Sequence, residues 1–324
     1  MKAWRVHAWG EPETMSLDDI PVPEPGPGQV RIRNRAAGLN FFDILQVRGK
    51  YQIKPPFPFT PGAEVAGIVD AVGPGVPDFE IGEPVLSITH GAGLAEYTLS
   101  RAETTFPIPG FMDVAVAAAL PIVYHTSYFA LRDRASVQPG EWLLVHAGAS
   151  GVGVSAIQLG RASGARVIAT AGDPEKLEFA KAQGAEHTIS YRDESWVEQV
   201  KQLTGGRGAD IIYDPVGGDV FDLSTKCIAP GGRLLVIGFA SGRIPSIAAN
   251  RILLKNISIV GALWGGHALA HPEYLGQAQR VLADLYSKNE IRPPHPIEYS
   301  LEQAPAALRD LANRKVLWKA VVTM

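Results

Sequence analysis

The sequence predicts an α/β protein with two domains, a mainly β domain and a doubly wound parallel sheet. Three observations predict this fold class. The chain has 324 residues, more than the roughly 250–300 residues at which a single hydrophobic core stops growing. Short alternating runs separated by proline and glycine fill the region before residue 120. After residue 140, strand-like and helix-like segments alternate, which indicates parallel strands joined by helices.

The first region reads as a series of short antiparallel strands. In QVRIRNR (29–35) polar and apolar residues alternate, and PVPEPGPG (21–28) and KPPFPFTPG (54–62) are rich in turn residues. Alternation that is broken by frequent turns is typical of an antiparallel barrel or sandwich.

The end of the chain resembles the first region more than the second. An amphipathic helix is predicted for EQAPAALRDLANR (302–314), and the strand-like VLWKAVVTM (316–324) follows it. We therefore expect the C-terminal segment to return to the first domain. The predicted domains are 1–120 together with 263–324, and 121–262.

The region after residue 140 repeats a strand, a glycine turn and a helix. EWLLVHA (141–147) and ARVIATA (165–171) read as buried strands, with a helix in VGVSAIQLGRASGA (152–165) between them. In DPEKLEFAKAQGA (173–185), Asp173 is the expected N-cap of a second helix. Further strand-like segments are HTISY, ADIIYDPVG, GRLLVIGF and NISIVGA.

A glycine-rich turn joins the first of these strands to its helix, in LLVHAGASGVGVSAIQLG (143–160). Backbone N–H groups and the positive end of the helix then face one point, and this geometry binds a pyrophosphate. Gly148 and Gly153 match the pattern G-x-G-x-x-G, whereas Ser150 takes the middle glycine position and Gly151 follows it. The turn predicts a Rossmann domain that binds a dinucleotide.

The second strand of this domain indicates which dinucleotide is bound. An NAD site usually has an acidic residue at the end of that strand, where it bonds the ribose hydroxyls. In this chain the strand ends in Thr170, Ala171 and Gly172, and Asp173 is better explained as a helix cap. Lys176 lies in the first turn of the next helix and can neutralise a 2′-phosphate. The sequence therefore favours NADPH over NADH.

Composition excludes several classes of partner. The net charge of −3 gives no reason to expect nucleic acid or an anionic membrane as a partner. The longest apolar runs, such as VAVAAALPIVY (114–124), are too short to span a bilayer. The single cysteine, Cys227, excludes an intramolecular disulfide and multi-cysteine zinc sites, and we expect it to be a buried helical thiol. With no secretory signal visible, the expectation is a cytoplasmic protein.

The whole chain resembles the zinc-independent quinone oxidoreductases of the medium-chain dehydrogenase/reductase superfamily, the group that includes zeta-crystallin. The segments that carry this resemblance are GLNFFDILQVRGKY (38–51), PFTPGAEVAGIVDAVGPGV (58–76), AALPIVYHTSYFAL (118–131), VHAGASGVG (145–153), TGGRGADIIYDPVGG (204–218) and PGGRLLVIG (230–238). The resemblance implies a catalytic domain related to the chaperonin-10 fold beside the Rossmann domain. It also implies a homo-oligomer, a dimer or a tetramer, formed by pairing edge strands, for which NISIVGA (256–262) is the candidate.

The resemblance further implies which residues bind the cofactor. Those expected along the pyrophosphate are Gly148, Ser150, Gly151, Val152 and Gly153. Lys176 and Tyr191 are expected at the 2′-phosphate and adenosine side, and Thr126 near the nicotinamide. Those expected beside the cofactor after the fifth strand are Gly238 and Phe239. Lys319 is expected near the nicotinamide end, next to Trp318, which stands where these proteins often have glycine.

The substrate side differs from that of the zinc-dependent relatives. The positions that line the substrate pocket in quinone oxidoreductases correspond to Asn40, Asp43 and Tyr51. In zinc members, a cysteine stands at the position of Asn40 and a histidine at that of Ala63. Because zinc needs Cys, His or carboxylate donors, the sequence predicts no metal at these positions. Glu64 is expected to bond within the catalytic domain.

The histidines have weaker claims on function. His267 and His271 would share a helix face and could chelate, but a third ligand is not evident and Pro272 is expected to interrupt the helix. His125 and His146 lie beside the cofactor segments and are expected to pack and form hydrogen bonds there. The variable segment GGHALAHPEYLG (265–276) is expected to border the substrate mouth.

These observations predict an NADPH-dependent reductase that transfers hydride to quinones. A quinone spreads the arriving negative charge over its own conjugated system, so a Lewis acid is not required. Tyr51 and Asn40 are the expected hydrogen-bond donors to the developing oxyanion. Two alternatives remain open: a reductase of the double bond of an enone or enoyl thioester, and an NADPH-binding protein with little turnover.

Overall fold

The structure, a computed structural model, describes residues 1–89, 91–110, 112–271 and 273–324. It divides into two compact units, each with its own sheet. The first unit comprises Met1–Ile122, Pro272–Gln279 and Pro293–Met324, and the second unit comprises Val123–His271 and Arg280–Arg292.

In chain order, the strands are β1 (Lys2–Arg5), β2 (Ser16–Asp19), β3 (Gln29–Gly38), β4 (Glu64–Val72), β5 (Pro84–Ile88), β6 (Tyr97–Arg101), β7 (Thr105–Pro107), β8 (Trp142–Val145), β9 (Arg166–Ala171), β10 (His187–Ser190), β11 (Ala209–Asp214), β12 (Ile228–Val236), β13 (Ser258–Gly261), β14 (Ile297–Ser300) and β15 (Ala320–Thr323). The α-helices are α1 (Phe41–Val47), α2 (Val114–Ala119), α3 (Pro121–Tyr128), α4 (Gly151–Ala162), α5 (Pro174–Ala182), α6 (Trp196–Leu203), α7 (Gly218–Cys227), α8 (Ala249–Lys255), α9 (Trp264–Ala270), α10 (Glu273–Ser287) and α11 (Ala304–Ala312). A π-helical segment, Phe129–Arg134, continues α3.

The first unit is built on a seven-stranded sheet with the order β14-β15-β3-β4-β5-β7, in which β6 also pairs with β3. Alternate residues of β3, such as Val30 and Ile32, are fully buried and pack with Val69 and Val85 of the neighbouring strands. This alternation confirms the predicted mainly β domain. The pairing of β14 with β15 is parallel, because α11 connects the two strands as a crossover.

The second unit is built on a six-stranded sheet with the order β10-β9-β8-β11-β12-β13, and every pairing in it is parallel. Both faces of the sheet are covered, so that β11 is buried along its whole length. Leu144, Ile168, Ile212 and Leu234 form its core with Trp196. The predicted doubly wound Rossmann domain is confirmed.

The two units depart from the predicted domain boundaries near the C terminus. The sequence predicts that 263–324 belongs to the first domain, whereas 263–271 and 280–292 lie in the second unit. Hydrogen bonds account for part of this difference. Gln158 on α4 donates from Nε2 to the Arg292 carbonyl (2.8 Å) and accepts from the Arg292 amide (2.9 Å).

The caps of α5 agree with the sequence. Asp173 is its N-cap and accepts from the amide of Lys176 at 3.0 Å, with Pro174 at the first position. None of the helices in the described ranges combines the length and the apolar character needed to cross a membrane.

Candidate active site

The glycine turn between β8 and α4 brings backbone very close to backbone. A Cβ on Gly153 would lie 2.1 Å from the carbonyl oxygen of Ala147, and one on Gly148 would lie 2.8 Å from the Cβ of Ala169. Only glycine fits such distances, so the start of α4 packs closely on the turn and the turn packs closely on β9. The first amides of α4, which include Gly151 and Val152, have no intrahelical acceptor and form the end that attracts an anion.

Ser150 has a structural role inside this turn. It is the N-cap of α4, and its Oγ accepts from the amide of Gly153 at 3.2 Å. The same hydroxyl donates its hydrogen to the carbonyl of Ala147 at 2.8 Å. The turn therefore offers backbone N–H groups to a pyrophosphate, and the Ser150 hydroxyl holds those groups in place.

Lys176 and Tyr191 follow the carboxyl ends of the neighbouring strands β9 and β10. The amide of Tyr191 donates to the carbonyl of Ala171 at 3.1 Å, and its hydroxyl oxygen lies 2.4 Å from where a Cβ on Gly172 would be. Lys176 Nζ lies 3.4 Å from Asp173 Oδ2. The residues predicted to bind the 2′-phosphate thus lie at the carboxyl end of the sheet, and the acidic residue Asp173 lies there with them.

The other predicted cofactor residues of the second unit lie on α3 and after β12. Thr126 is half-buried on α3. Gly238 follows β12, and the ring of Phe239 contacts Gly217, since a Cβ there would lie 3.1 Å from Phe239 Cδ1. The amide of Ile237 donates to the carbonyl of Asp214 at 3.0 Å. Gly238 and Phe239 therefore leave the sheet beside the carboxyl end of β11.

In the first unit, Asn40, Glu64 and Lys319 form a buried group that we call the Lys319 cluster. Lys319 Nζ donates to Glu64 Oε1 (2.5 Å), to Asn40 Oδ1 (2.9 Å) and to the carbonyl of Leu39 (2.7 Å). Asn40 Nδ2 donates to Glu64 Oε1 at 2.8 Å, and Glu64 Oε2 accepts from the amide of Ile122 at 2.7 Å. The expected structural role of Glu64 agrees with these contacts.

Gly38 makes room for the Lys319 cluster. A Cβ at this position would lie 2.3 Å from the carbonyl of Ala118 and 2.6 Å from Glu64 Oε1. The absence of a side chain thus lets α2 and the Glu64 carboxylate approach the end of β3.

The contacts of the Lys319 cluster limit what its members can offer to a ligand. Lys319 is 2% exposed, and each of its three ammonium hydrogens has an acceptor within the first unit. Lys319, expected at the cofactor from the resemblance, has no hydrogen left to donate there. Asn40 Nδ2 donates one of its two hydrogens to Glu64, and its second hydrogen has no acceptor among the described residues.

Asp43 is fully buried and forms a capping box with Asn40 at the start of α1. Its Oδ2 accepts from the Asn40 amide at 2.7 Å, while Oδ1 has no hydrogen-bond partner within the described part of the chain. Burial raises the pKa of Asp43 to about 7, against the hydrogen bond from Asn40 and the charge of Lys319. The carboxyl expected to line the substrate pocket is therefore closed off from solvent within the first unit.

Tyr51 is half-buried in the segment after α1, and its ring stacks on Phe42 with centroids 5.4 Å apart. Burial, and then the negative charge of Asp43, raise the pKa of its hydroxyl. The hydroxyl therefore keeps its hydrogen at neutral pH and can donate it.

The positions of the zinc ligands carry a different chemistry in this chain. The amide oxygen of Asn40 already accepts from the Lys319 ammonium, and Ala63 offers no donor at all. Among the described residues, no three His, Cys, Asp or Glu side chains are grouped so that they could hold a metal ion. This donor set does not fit a divalent cation, which an ammonium group would also repel.

The histidines and the cysteine have packing roles. His146 bonds Thr170 Oγ1 at 2.9 Å and Ser224 Oγ at 2.8 Å, as expected. Burial lowers the pKa of His125 and of His146 to about 3. Cys227 ends α7 as a buried thiol, as predicted, and burial raises its pKa to about 12.

The pair of His267 and His271 lies at the end of α9. The two rings have centroids 4.7 Å apart, and His267 stacks on Phe129 at 4.8 Å. His267 belongs to the helix and His271 follows its last residue. Pro272, the expected interruption, lies outside the described residues.

A two-domain oxidoreductase that binds a pyridine dinucleotide is the class that this fold and this turn define. Residues 26–118 match the alcohol dehydrogenase GroES-like domain, and residues 151–280 match the zinc-binding dehydrogenase family. The quinone oxidoreductase-like protein 2 homolog of Nematostella vectensis is 38% identical over 300 residues, which cover 92% of this chain and 82% of that protein. The chain belongs to the quinone oxidoreductase family of the medium-chain dehydrogenases/reductases.

Solved structures resemble the whole chain. The quinone oxidoreductase of Escherichia coli complexed with NADPH has a TM-score of 0.93 at 28% identity, with 100% of both chains covered. The CurK enoyl reductase has a TM-score of 0.91 at 26% identity, with 100% of this chain and 99% of the other covered.

Proposed function

We propose that this protein is an NADPH-dependent, zinc-independent reductase that transfers hydride to quinones. The observation that carries the proposal is the hydrogen bond between Lys319 and Asn40. This hydrogen bond occupies the side-chain oxygen of Asn40, the residue at the position where zinc dehydrogenases have their cysteine ligand. The reaction assigned to this chain is therefore one that needs no Lewis acid.

The second unit binds the cofactor in this proposal. The groups that hold the pyrophosphate are the first amides of α4, including those of Gly151 and Val152, with Gly148 and Gly153 giving the space. Lys176 and Tyr191 contact the 2′-phosphate. Thr126, Gly238 and Phe239 orient the nicotinamide. The close backbone approach at Gly153 and the position of Tyr191 beside Gly172 support this arrangement.

NADPH supplies the hydride when it is bound, and the conjugated acceptor delocalises the charge that arrives with it. The residues of this chain orient the acceptor and stabilise the oxygen on which the charge develops. Tyr51 donates its hydroxyl hydrogen to that oxygen, and Asn40 donates its remaining Nδ2 hydrogen. Tyr51 is half-buried and its ring stacks on Phe42, which supports a fixed position for this donor.

The test is NADPH oxidation by EDTA-treated protein with an ortho-quinone, a para-quinone, an alkenal and an enoyl-CoA, with NADH as the control donor. Quinone turnover that survives EDTA and prefers NADPH is the expected result. Turnover that EDTA abolishes and zinc restores would overturn the metal-free reaction. NADPH binding without turnover of any acceptor would leave the binding protein of low turnover as the better description.

A reductase of activated carbon–carbon double bonds is the second candidate. The resemblance to the CurK enoyl reductase over the whole chain favours it. The same cofactor groups would serve, and the oxyanion would be the enolate of an enone or a thioester. Turnover of the alkenal or the enoyl-CoA without turnover of the quinones would favour this candidate.

We further propose that the protein is a homodimer joined through β13. This strand is an edge of the described part of the second sheet, and edge strands carry unpaired backbone groups that can pair with another chain. Leu253 and Leu254, just before it, are 73% and 79% exposed. The cytoplasmic location expected from the sequence stays a prediction that cell fractionation can test.

A further inference from the structure

The 2′-phosphate side of the second unit contains an acidic residue that works against its proposed ligand. Asp173 accepts from the amide of Lys176 at 3.0 Å, and its other oxygen lies 3.4 Å from the Lys176 ammonium. The two side chains together have no net charge. A 2′-phosphate that approaches Lys176 therefore also approaches the Asp173 carboxylate, so that Lys176 alone gives little net attraction.

The next basic residue in this region is Arg192, which follows β10 at the same end of the sheet at which Asp173 follows β9. Ser190 at the end of β10 pairs with Ala171 at the end of β9. Tyr191 stays in contact with the second strand through the carbonyl of Ala171 and the Cα of Gly172. Arg192 thus comes directly after a residue that contacts the segment between β9 and α5.

Two further observations describe Arg192 itself. It is exposed, so its guanidinium can reach a ligand at the edge of the sheet without loss of packing. Its positive charge also contributes to the lowered pKa of Asp173, after the larger effects of the Lys176 hydrogen bonds and charge. The Arg192 charge therefore acts at the place where the 2′-phosphate is proposed to bind.

We propose that Arg192 is a second cationic determinant of the preference for NADPH: its guanidinium binds the 2′-phosphate and offsets the charge of Asp173. A guanidinium presents two parallel N–H groups to a phosphate, which an ammonium cannot do. Together, the side chains of Asp173, Lys176 and Arg192 carry one net positive charge. This inference rests on the NADPH-dependent function proposed above and adds a residue that the resemblance did not indicate.

The experiment measures binding of 2′,5′-ADP and of 5′-AMP to the full chain by isothermal titration calorimetry. Arg192→Gln is compared with the wild type and with Arg207→Gln as a matched control. Arg207 is exposed, pairs with Asp210 at 2.9 Å and precedes β11, so it lies at the opposite end of a strand of the same sheet. We expect Arg192→Gln to weaken 2′,5′-ADP about tenfold, the effect of one charge-assisted hydrogen-bond pair. We expect Arg192→Gln to bind 5′-AMP as the wild type does. We expect Arg207→Gln to bind both ligands as the wild type does.

A second variant separates the two opposing charges. Asp173→Asn keeps an oxygen for the Lys176 amide, so the helix cap remains, but it removes the negative charge. We expect this variant to bind 2′,5′-ADP more tightly than the wild type does. When it is combined with Arg192→Gln in one chain, we expect it to restore most of the affinity that Arg192→Gln alone loses.

The outcomes distinguish this inference from the proposed function. A wild type that binds 2′,5′-ADP no better than 5′-AMP would contradict the NADPH preference itself and would overturn both. A wild type that prefers 2′,5′-ADP, with an unchanged preference in Arg192→Gln, would overturn only the role of Arg192. Neither readout depends on turnover of a quinone.

Discussion

Lys319 places its ammonium nitrogen 2.5 Å from Oε1 of Glu64, and both side chains are almost completely buried, with 3% and 0% exposed. The pair ties β15 to the start of β4, and through Asn40 to the start of α1. Buried ion pairs tolerate the loss of both charges better than the loss of one, because a single buried charge keeps its desolvation cost without its partner.

Lys319→Met is therefore expected to lower the free energy of unfolding by about 3–5 kcal/mol. The measurement is urea denaturation followed by circular dichroism. The matched control is Lys288→Met, which breaks an exposed pair with Asp284 (2.7 Å) and should cost no more than about 0.5 kcal/mol. The double variant Lys319→Met, Glu64→Gln should recover part of the loss. Equal effects of the two lysine substitutions would contradict this account.

Asp43 gives the stability of the first unit a dependence on pH. Its pKa is raised from 3.8 to about 7 in the fold, so the folded state holds a proton that the unfolded chain releases. The resulting stabilisation is fully present below about pH 4 and is lost as the pH rises through about 7. Each unit of pKa difference between the folded and unfolded states corresponds to about 1.4 kcal/mol, so the protonation of Asp43 changes the free energy of unfolding by a few kcal/mol.

The comparison with Asp43→Asn isolates this contribution. Asparagine keeps an oxygen for the Asn40 amide and cannot ionise. We expect the stability of the wild type, measured relative to this variant, to fall by a few kcal/mol between pH 4 and pH 8. Taking the difference cancels the opposite trend from His125 and His146, whose pKa values are lowered to about 3. A difference that stays constant over this range would show that Asp43 is ionised throughout.

Tyr51→Phe tests the donor proposed for the developing oxyanion. The ring should still stack on Phe42, so we expect the affinity for NADPH and the midpoint of thermal unfolding to stay as in the wild type. Loss of one such donor typically lowers kcat by about 100-fold or more. The control is Tyr97→Phe, whose ring packs under the guanidinium of Arg31, 5.9 Å from its centroid. An unchanged kcat with quinones would remove Tyr51 from the mechanism.

The parts of the fold that could be predicted depend on local chemistry. Asp173 and Pro174 start α5 because a side-chain acceptor and a fixed φ act within one turn. Gly148 and Gly153 mark the turn before α4 because a side chain there would collide with Ala147 or Ala169. Such signals lie within a few residues of each other, so they are legible in a single sequence.

The Lys319 cluster could not be predicted in the same way. Lys319 and Asn40 are 279 residues apart. Nothing in the sequence around either residue indicates that the other is its partner. The resemblance implies a position for Lys319 near the nicotinamide end of the cofactor, but it does not indicate the hydrogen bonds of Lys319 to Asn40 and Glu64. The bounds of the two units differ from the predicted domains for a similar reason, since the contact of Arg292 with Gln158 spans 134 residues.

The edge of the second sheet gives the last prediction. If β13 pairs with its copy in a symmetric dimer, each copy of Leu254 enters the interface. Burying a leucine contributes about 1.5–3 kcal/mol, and a carboxylate in its place would be desolvated at a further cost. Leu254→Glu should therefore weaken the dimer at least about 100-fold without unfolding the monomer, because the side chain is 79% exposed.

Light scattering after size exclusion measures the mass. Ile81→Glu, at 72% exposure in the first unit, is the control and should leave the dimer intact. A wild type of monomer mass would contradict the proposed dimer, and a Leu254→Glu variant of dimer mass would place the interface elsewhere.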